Sequence, residues 1–187
     1  MAGTDGDDPA TQISALQDAL SGALRELAVL RAIEDIKQLK YRYFRAMDRA
    51  DMALLRSVLA EDFHFDLSGS TWSMKGSDRE DFIERMRLNF NSDMATQHHG
   101  HHPEITIDPD GRTAGGIWYL QDIVHDGAQD MLLFGTNFYD DRYIRTTEGW
   151  RIASSRWARH IEVRQHLPSP LLYNDRYLAH QGHKITR

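Results

Sequence analysis

From Thr11 to about Asp51 the chain has no proline and one glycine, Gly22, and its apolar residues recur at helical spacing. Ile13, Leu16, Leu20, Ala23, Leu27 and Leu30 step by three and four residues, as in a short heptad seam. The phase then changes. Ile33, Ile36, Leu39, Tyr43 and Met47 form a second stripe, with Phe44 beside it. The pattern predicts one long helix or two in series: an arm over 11–31, then the first helix of a domain over 32–50. The arm's apolar face needs a cover, supplied by its own domain or by a partner chain. Residues 1–10, rich in Gly, Asp and small polar groups, read as a flexible tail.

Asp51 can N-cap a short helix over 52–60, and Phe63–Leu67 alternates as a strand does. A turn-rich stretch follows, with room for a short strand around Trp72. Ser77 can cap a helix over 78–90, and Glu80 sits where a capping box places its acid. After Asn91 the period changes to two. Strands are expected over 96–108, 112–125, 130–146 and 149–163, separated by the turn sequences DPDG, HDGAQ and TTEG. Helices followed by a run of long antiparallel strands give an α+β domain over 32–165. Strands of this length predict a sheet that curls into a half-closed cone over the helices. The tail, 166–187, holds Pro168, Pro170, Tyr173 and Tyr177, and is expected to cover an open end of the cone or to reach a neighbouring subunit.

Composition narrows the function. The 187 residues carry 22 basic and 28 acidic side chains, a net charge of −6, and no basic stripe, which argues against nucleic acid as a partner. The absence of cysteine removes thiolate nucleophiles, disulfides and cysteine-ligated metals. It fits a cytoplasmic location, as does an acidic start without the basic and apolar regions of a signal peptide. No apolar run is long enough to span a bilayer.

A cone closed by helices leaves an interior pocket, mainly apolar with a few placed polar groups. The candidates are Tyr43, Asp48, the histidines at 98, 99, 101 and 102, Asn137 and Tyr139. An imidazole titrates near neutrality and can move a proton either way, and a neighbouring carboxylate orients it. Ordinary structural roles compete: Asp48 as a helix-end carboxylate, Tyr43 as a core residue. Strand alternation puts His98, Gly100 and His102 on one face and His99 and His101 on the other, the side shared by Ile105 and Ile107. Gly100 and Pro103 can shift that parity through a bulge, so periodicity alone does not choose the inward histidine. His99, His101 and Glu104 loosely resemble a cupin ligand set, but no clear fourth ligand follows, so neither metal nor cofactor is expected. Signatures of nucleophile elbows, phosphate-binding loops and dinucleotide-binding turns are absent.

The residues also carry a family pattern. The stretch IEDIKQLKYRYFRAMDRADMALLRSVLAEDF over 33–63, then QHHGHHPEITID, GIWYLQD and FYDDRYIRTTEGWRI, resembles the SnoaL-like branch of the NTF2-like superfamily over about residues 30–165. That superfamily includes ketosteroid isomerases, scytalone dehydratases and hexachlorocyclohexane dehydrochlorinases. The segments Tyr43-Phe44-Arg45-Ala46-Met47-Asp48 and His98-His99-Gly100-His101-His102-Pro103-Glu104-Ile105 are most similar to those of the bile acid 7α-dehydratases. The resemblance implies an NTF2-like cone, Asp48 and His98 as the catalytic pair, and Tyr43 as a substrate-positioning residue. His101, His102, Asn137 and Tyr139 are the further expected substrate contacts. The implied function is a cofactor-independent lyase that eliminates water from a hydrophobic hydroxylated molecule, a steroid or an aromatic compound. Carbon–carbon cleavage or isomerisation by the same pair, and a non-catalytic binding or assembly subunit, are the alternatives. Leu67 stands where the dehydratases have a tyrosine, and HDGAQ lacks their loop tyrosine. Both departures point away from a bile acid. A homo-oligomer, dimer or trimer, is expected.

Overall fold

The computed structural model describes residues 8–69, 71 and 73–185. Most of the expected N-terminal tail, 1–7, and Trp72 lie outside these residues.

The first helix, α1 (Pro9–Asp48), is continuous through the change of phase, because neither Gly nor Pro interrupts 23–48. Its two halves have different surroundings. From Ala32 onward one stripe is buried, including Ile36, Leu39, Tyr43, Phe44 and Met47. Each such side chain contributes about 1.5–3 kcal/mol when withdrawn from water. Upstream, the seam side chains stay in solvent: Leu16 is 70% exposed and Leu30 64%. The chain leaves α1 through Ala50, which adopts φ 49°, and Asp51 then caps α2 (Met52–Val58), its carboxylate accepting the Leu54 N–H at 2.9 Å.

β1 (Leu59–Leu67) begins where the sequence pattern placed the last turn of that helix, because Leu59 already pairs with Ile152. β2 (Met74–Gly76) returns antiparallel along β1. The cap expected of Ser77 falls to Asp78, whose carboxylate accepts the Asp81 N–H at 2.9 Å and starts α3 (Arg79–Asn89) one residue later. That shift puts Glu80 outside the capping-box position, and it pairs with Arg56 instead at 2.7 Å. Four long strands follow: β3 (Met94–Ile107), β4 (Thr113–Asp126), β5 (Met131–Thr146) and β6 (Gly149–His166). The sheet order is β2-β1-β6-β5-β4-β3, parallel only between β1 and β6. The result is an α+β cone, a curled sheet that does not close, with the second half of α1 lying across it and β3 at one edge.

A buried polar network ties α1 to the sheet. Lys40 is 0% exposed and sits on the apolar stripe of the helix. Its Nζ lies 2.7 Å from Asp141 Oδ2 and 3.7 Å from the ring centre of Tyr139. The Asp141 carboxylate also accepts from Tyr143 Oη at 2.8 Å and Ser155 Oγ at 2.7 Å, and Trp118 Nε1 donates to Tyr143 Oη at 2.9 Å. Burial lowers the Lys40 pKa in spite of its carboxylate partner, and raises that of Tyr143 well above the ordinary phenol range.

The C-terminal tail packs on the body of its own chain. Tyr173 stacks near His125, Arg176 donates to the Asp93 carbonyl at 2.9 Å, and Leu178 of α4 (Tyr177–Gln181) is buried. On the outer face of the sheet, Ile117, Ile123, Phe134, Phe138, Ile161 and Val163 remain exposed.

Candidate active site

Asp48 ends α1 and points toward β3. One carboxylate oxygen lies 2.6 Å from His98 Nδ1 and accepts from Thr96 Oγ1 at 3.0 Å, while the other accepts the backbone N–H of His98 at 3.0 Å. The carboxylate can only accept, so Nδ1 carries the hydrogen and Nε2 is left for the cavity. For His98, burial works against the charged ring, yet the hydrogen bond and charge of Asp48 outweigh it and the pKa is raised. For Asp48, burial pushes upward, but the His98 and Thr96 donors prevail and the pKa is lowered. Both shifts favour a carboxylate beside an imidazolium in the resting pair.

His98 faces inward because β3 changes phase downstream of it. His98 pairs with Asp122 and His101 with Tyr119, but Glu104 pairs with Ile117, so one extra residue is accommodated between His101 and Glu104. His102 takes φ 47° within that bulge. His98 and Gly100 upstream, and Ile105 and Ile107 downstream, therefore share the inner face. Gly100 is required there. A Cβ on it would come within 2.2 Å of Phe44 Cε2 on α1. Gly100→Ala is expected to destabilise the protein by about 1–3 kcal/mol, as overpacking does. A denaturant midpoint equal to that of the wild type would refute this account of the helix–strand contact.

The dyad opens on a cavity of about 370 Å³. Its apolar wall includes Met47, Leu67, Phe90, Met94, Leu133 and Trp157. Tyr43 and Tyr139 also line it, and burial raises both phenols, so both remain neutral donors. A charged cluster faces the dyad. Arg159 Nη1 and Nη2 lie 2.7 and 3.2 Å from the two oxygens of Asp122, and its Nε lies 3.2 Å from Glu162. Gly135 makes room for that pair, since a Cβ there would meet Arg159 Nη1 at 2.2 Å.

A model described as the SnoaL-like domain matches residues 28–156. The chain belongs to that family. Among solved structures, the SnoaL-like fold seen here is similar to a type 2 hexachlorocyclohexane dehydrochlorinase, with 14% identity and a TM-score of 0.68 over 80% of this chain and 98% of that one. It is similar also to a candidate scytalone dehydratase from Novosphingobium aromaticivorans, at 14% identity and TM-score 0.62 over 78% and 95% of the two chains. An NTF2-like protein with a cystatin-like fold, also from N. aromaticivorans, shares 20% identity at TM-score 0.60 over 75% and 87%. At these identities the likeness is one of fold.

Within this SnoaL-like domain the structure brings His98, Tyr43 and Tyr139 to one cavity, with Asp48 bonded to His98 at its wall. Asn137 faces inward and is fully buried, but lies behind the cavity wall. His101 and His102, expected as substrate contacts, are away from the cavity. His101 is on the outer face opposite Tyr119, and His102 is held exposed in the bulge. Among the described residues no three His, Asp or Glu side chains gather in a group able to hold a metal. Asp122 and Arg159 were not singled out by the sequence reading, although a signal existed. Asp122 alternates with Trp118, Leu120 and Val124, and Arg159 with Trp157, so each puts a charge on an apolar strand face.

Proposed function

We propose that this protein is a lyase that uses its own side chains for general acid/base elimination of water from a hydrophobic hydroxylated molecule, with aromatic compounds as the favoured class. The observation that carries this reading is the Asp48–His98 dyad at the wall of a mainly apolar cavity. Nε2 of His98 removes a proton from a carbon next to an activating carbonyl or phenol. The C–H electrons move into an enolate-like system. Expulsion of the β- or vinylogous hydroxyl then forms the new double bond, and that hydroxyl leaves as water with a proton from the imidazolium or from Tyr43. Asp48 holds the ring in orientation and stabilises its positive charge, and the buried Tyr43 and Tyr139 hydroxyls are available to the developing oxyanion. The dehydratase and dehydrochlorinase names among the fold relatives support an elimination. Leu67 on the cavity wall supports a flat apolar substrate over a bile acid.

The test is incubation of EDTA-treated protein with hydroxylated aryl-propanes, small naphthols and 3-oxo steroids, following product absorbance and mass. Loss of 18 mass units with formation of a conjugated product is the expected result. Loss of formaldehyde, or an isomer of equal mass, would assign the same dyad to carbon–carbon cleavage or isomerisation instead. Turnover abolished by EDTA would sink the metal-free reading.

A pH profile gives a second check. A base acts in its neutral form, and Asp48 raises the His98 pKa, so kcat/KM should climb with pH through a value above the ordinary imidazole range. Removing the carboxylate charge in Asp48→Asn leaves burial to dominate, and the residual rate should climb at lower pH. A limb that stays in place would remove Asp48 from this role.

A further inference from the structure

The first half of α1 presents an apolar seam that its own domain does not cover. Ile13, Leu20 and Leu27 occupy one heptad position and Leu16, Ala23 and Leu30 the other, and the five large side chains are 42–70% exposed. The direction of this seam decides what can meet it. At about 100° per residue, its midline lies about 160° around the helix from the stripe of Ala32, Ile36, Leu39 and Tyr43 that packs into the body. The body therefore sits behind the seam and cannot fold back onto it. The next two seam positions hold Glu34 and Lys37, so the apolar face stops where the helix enters the body.

We propose that residues 13–31 of two copies of this chain pair in parallel as a short two-stranded coiled coil. Charge selects both the occupant and the direction. Glu26 takes the flanking position before one core layer, and Arg31 takes the opposite flank five residues later. In a parallel pair these residues face each other across the interface twice, Glu26 of one copy toward Arg31 of the other. In the antiparallel alignment that keeps the six apolar layers, Glu26 would face Ala19 and Arg31 would face Ala10, with no ion pair. Because seam and body lie on opposite sides of the helix, a two-fold axis along the coil places the two bodies on its outer flanks, without collision. This pairing is independent of the proposed chemistry, since none of these residues approaches the cavity.

The test uses the full chain. Sedimentation velocity should give at least twice the 21.6 kDa chain mass, and Leu20→Glu combined with Leu27→Glu should halve the measured mass. The chain has no cysteine of its own, so Ala23→Cys and Ser21→Cys report orientation without background. Under mild oxidation Ala23→Cys should cross-link nearly completely, because that layer meets its own copy only in a parallel pair. Ser21→Cys, on the outer side, should not. Wild-type protein at single-chain mass would overturn the proposal. So would a mass unchanged by the double variant, as when the exposed face around Phe138 holds the copies together. Cross-linking at Ser21 as fast as at Ala23 would overturn it too, and the cysteine variants keep the test valid if the double variant unfolds.

Discussion

Replacement of His98 by alanine is expected to lower turnover on the cognate substrate by roughly 10²–10⁴-fold while the protein stays folded. The ring nitrogen that faces the cavity is the only imidazole nitrogen there among the described residues, because the bulge sends His99 and His101 to the other face. Water cannot take its place with the same orientation in a pocket walled by Met47, Phe90 and Trp157. Asp48→Asn should produce a smaller loss. The amide keeps the shape of the carboxylate but not its charge, and can present an N–H to Nδ1, favouring the tautomer with the hydrogen on Nε2. Single-turnover kinetics with far-UV circular dichroism on each variant separates chemistry from folding. Full turnover in both variants would reject the dyad as the site of proton transfer.

Lys40→Met is expected to cost about 3–5 kcal/mol of stability, the largest effect of any single substitution considered. The loss does not come from the strength of the ion pair, which is offset by the cost of withdrawing two charges from water. It comes from the partner left behind. Asp141 is fully buried, and among the described residues its side chain without Lys40 keeps the Tyr143 and Ser155 hydroxyls as donors. The double variant Lys40→Met with Asp141→Asn should recover more than half of the loss, since the amide oxygen still accepts those hydroxyls and no charge remains. Urea unfolding of the two variants gives the comparison. A double variant no more stable than Lys40→Met would show that packing, and not the stranded charge, sets the penalty.

Much of the fold was legible because its punctuation is local. DPDG, HDGAQ and TTEG each end a strand within a residue or two of where the ladder ends, and Asp51 caps the helix it precedes. The Ser77–Asp78 pair was not legible in this way. Two adjacent residues both cap well, and the choice depends on where α3 meets the rest of the chain. The inward histidine could not be read for a related reason. Alternation is a reliable guide only along an unbroken ladder, and the position of an extra residue depends on which residue accepts a left-handed backbone, here His102 and not a glycine. Lys40, Asp122 and Arg159 are a different case. Each stands on an apolar face whose period is plain in the sequence, and the charge out of pattern was itself the signal.

The extra residue in β3 has a wider consequence. That strand is two alternations joined out of step, so the half that packs Ile105 and Ile107 is insulated from the half that presents the base. Removing one residue at 101–103 would restore a single rhythm. With the downstream half held in place, the upstream half would keep its partners, His98 still opposite Asp122, and both inner faces would survive without the bulge. Loss of the bulge at full length is what would exchange one base for its neighbour, because every upstream residue would slip by one and His99 would take the place of His98 opposite Asp122. The paired histidines before Gly100 mean that even such a slip in register would leave an imidazole on the inner face.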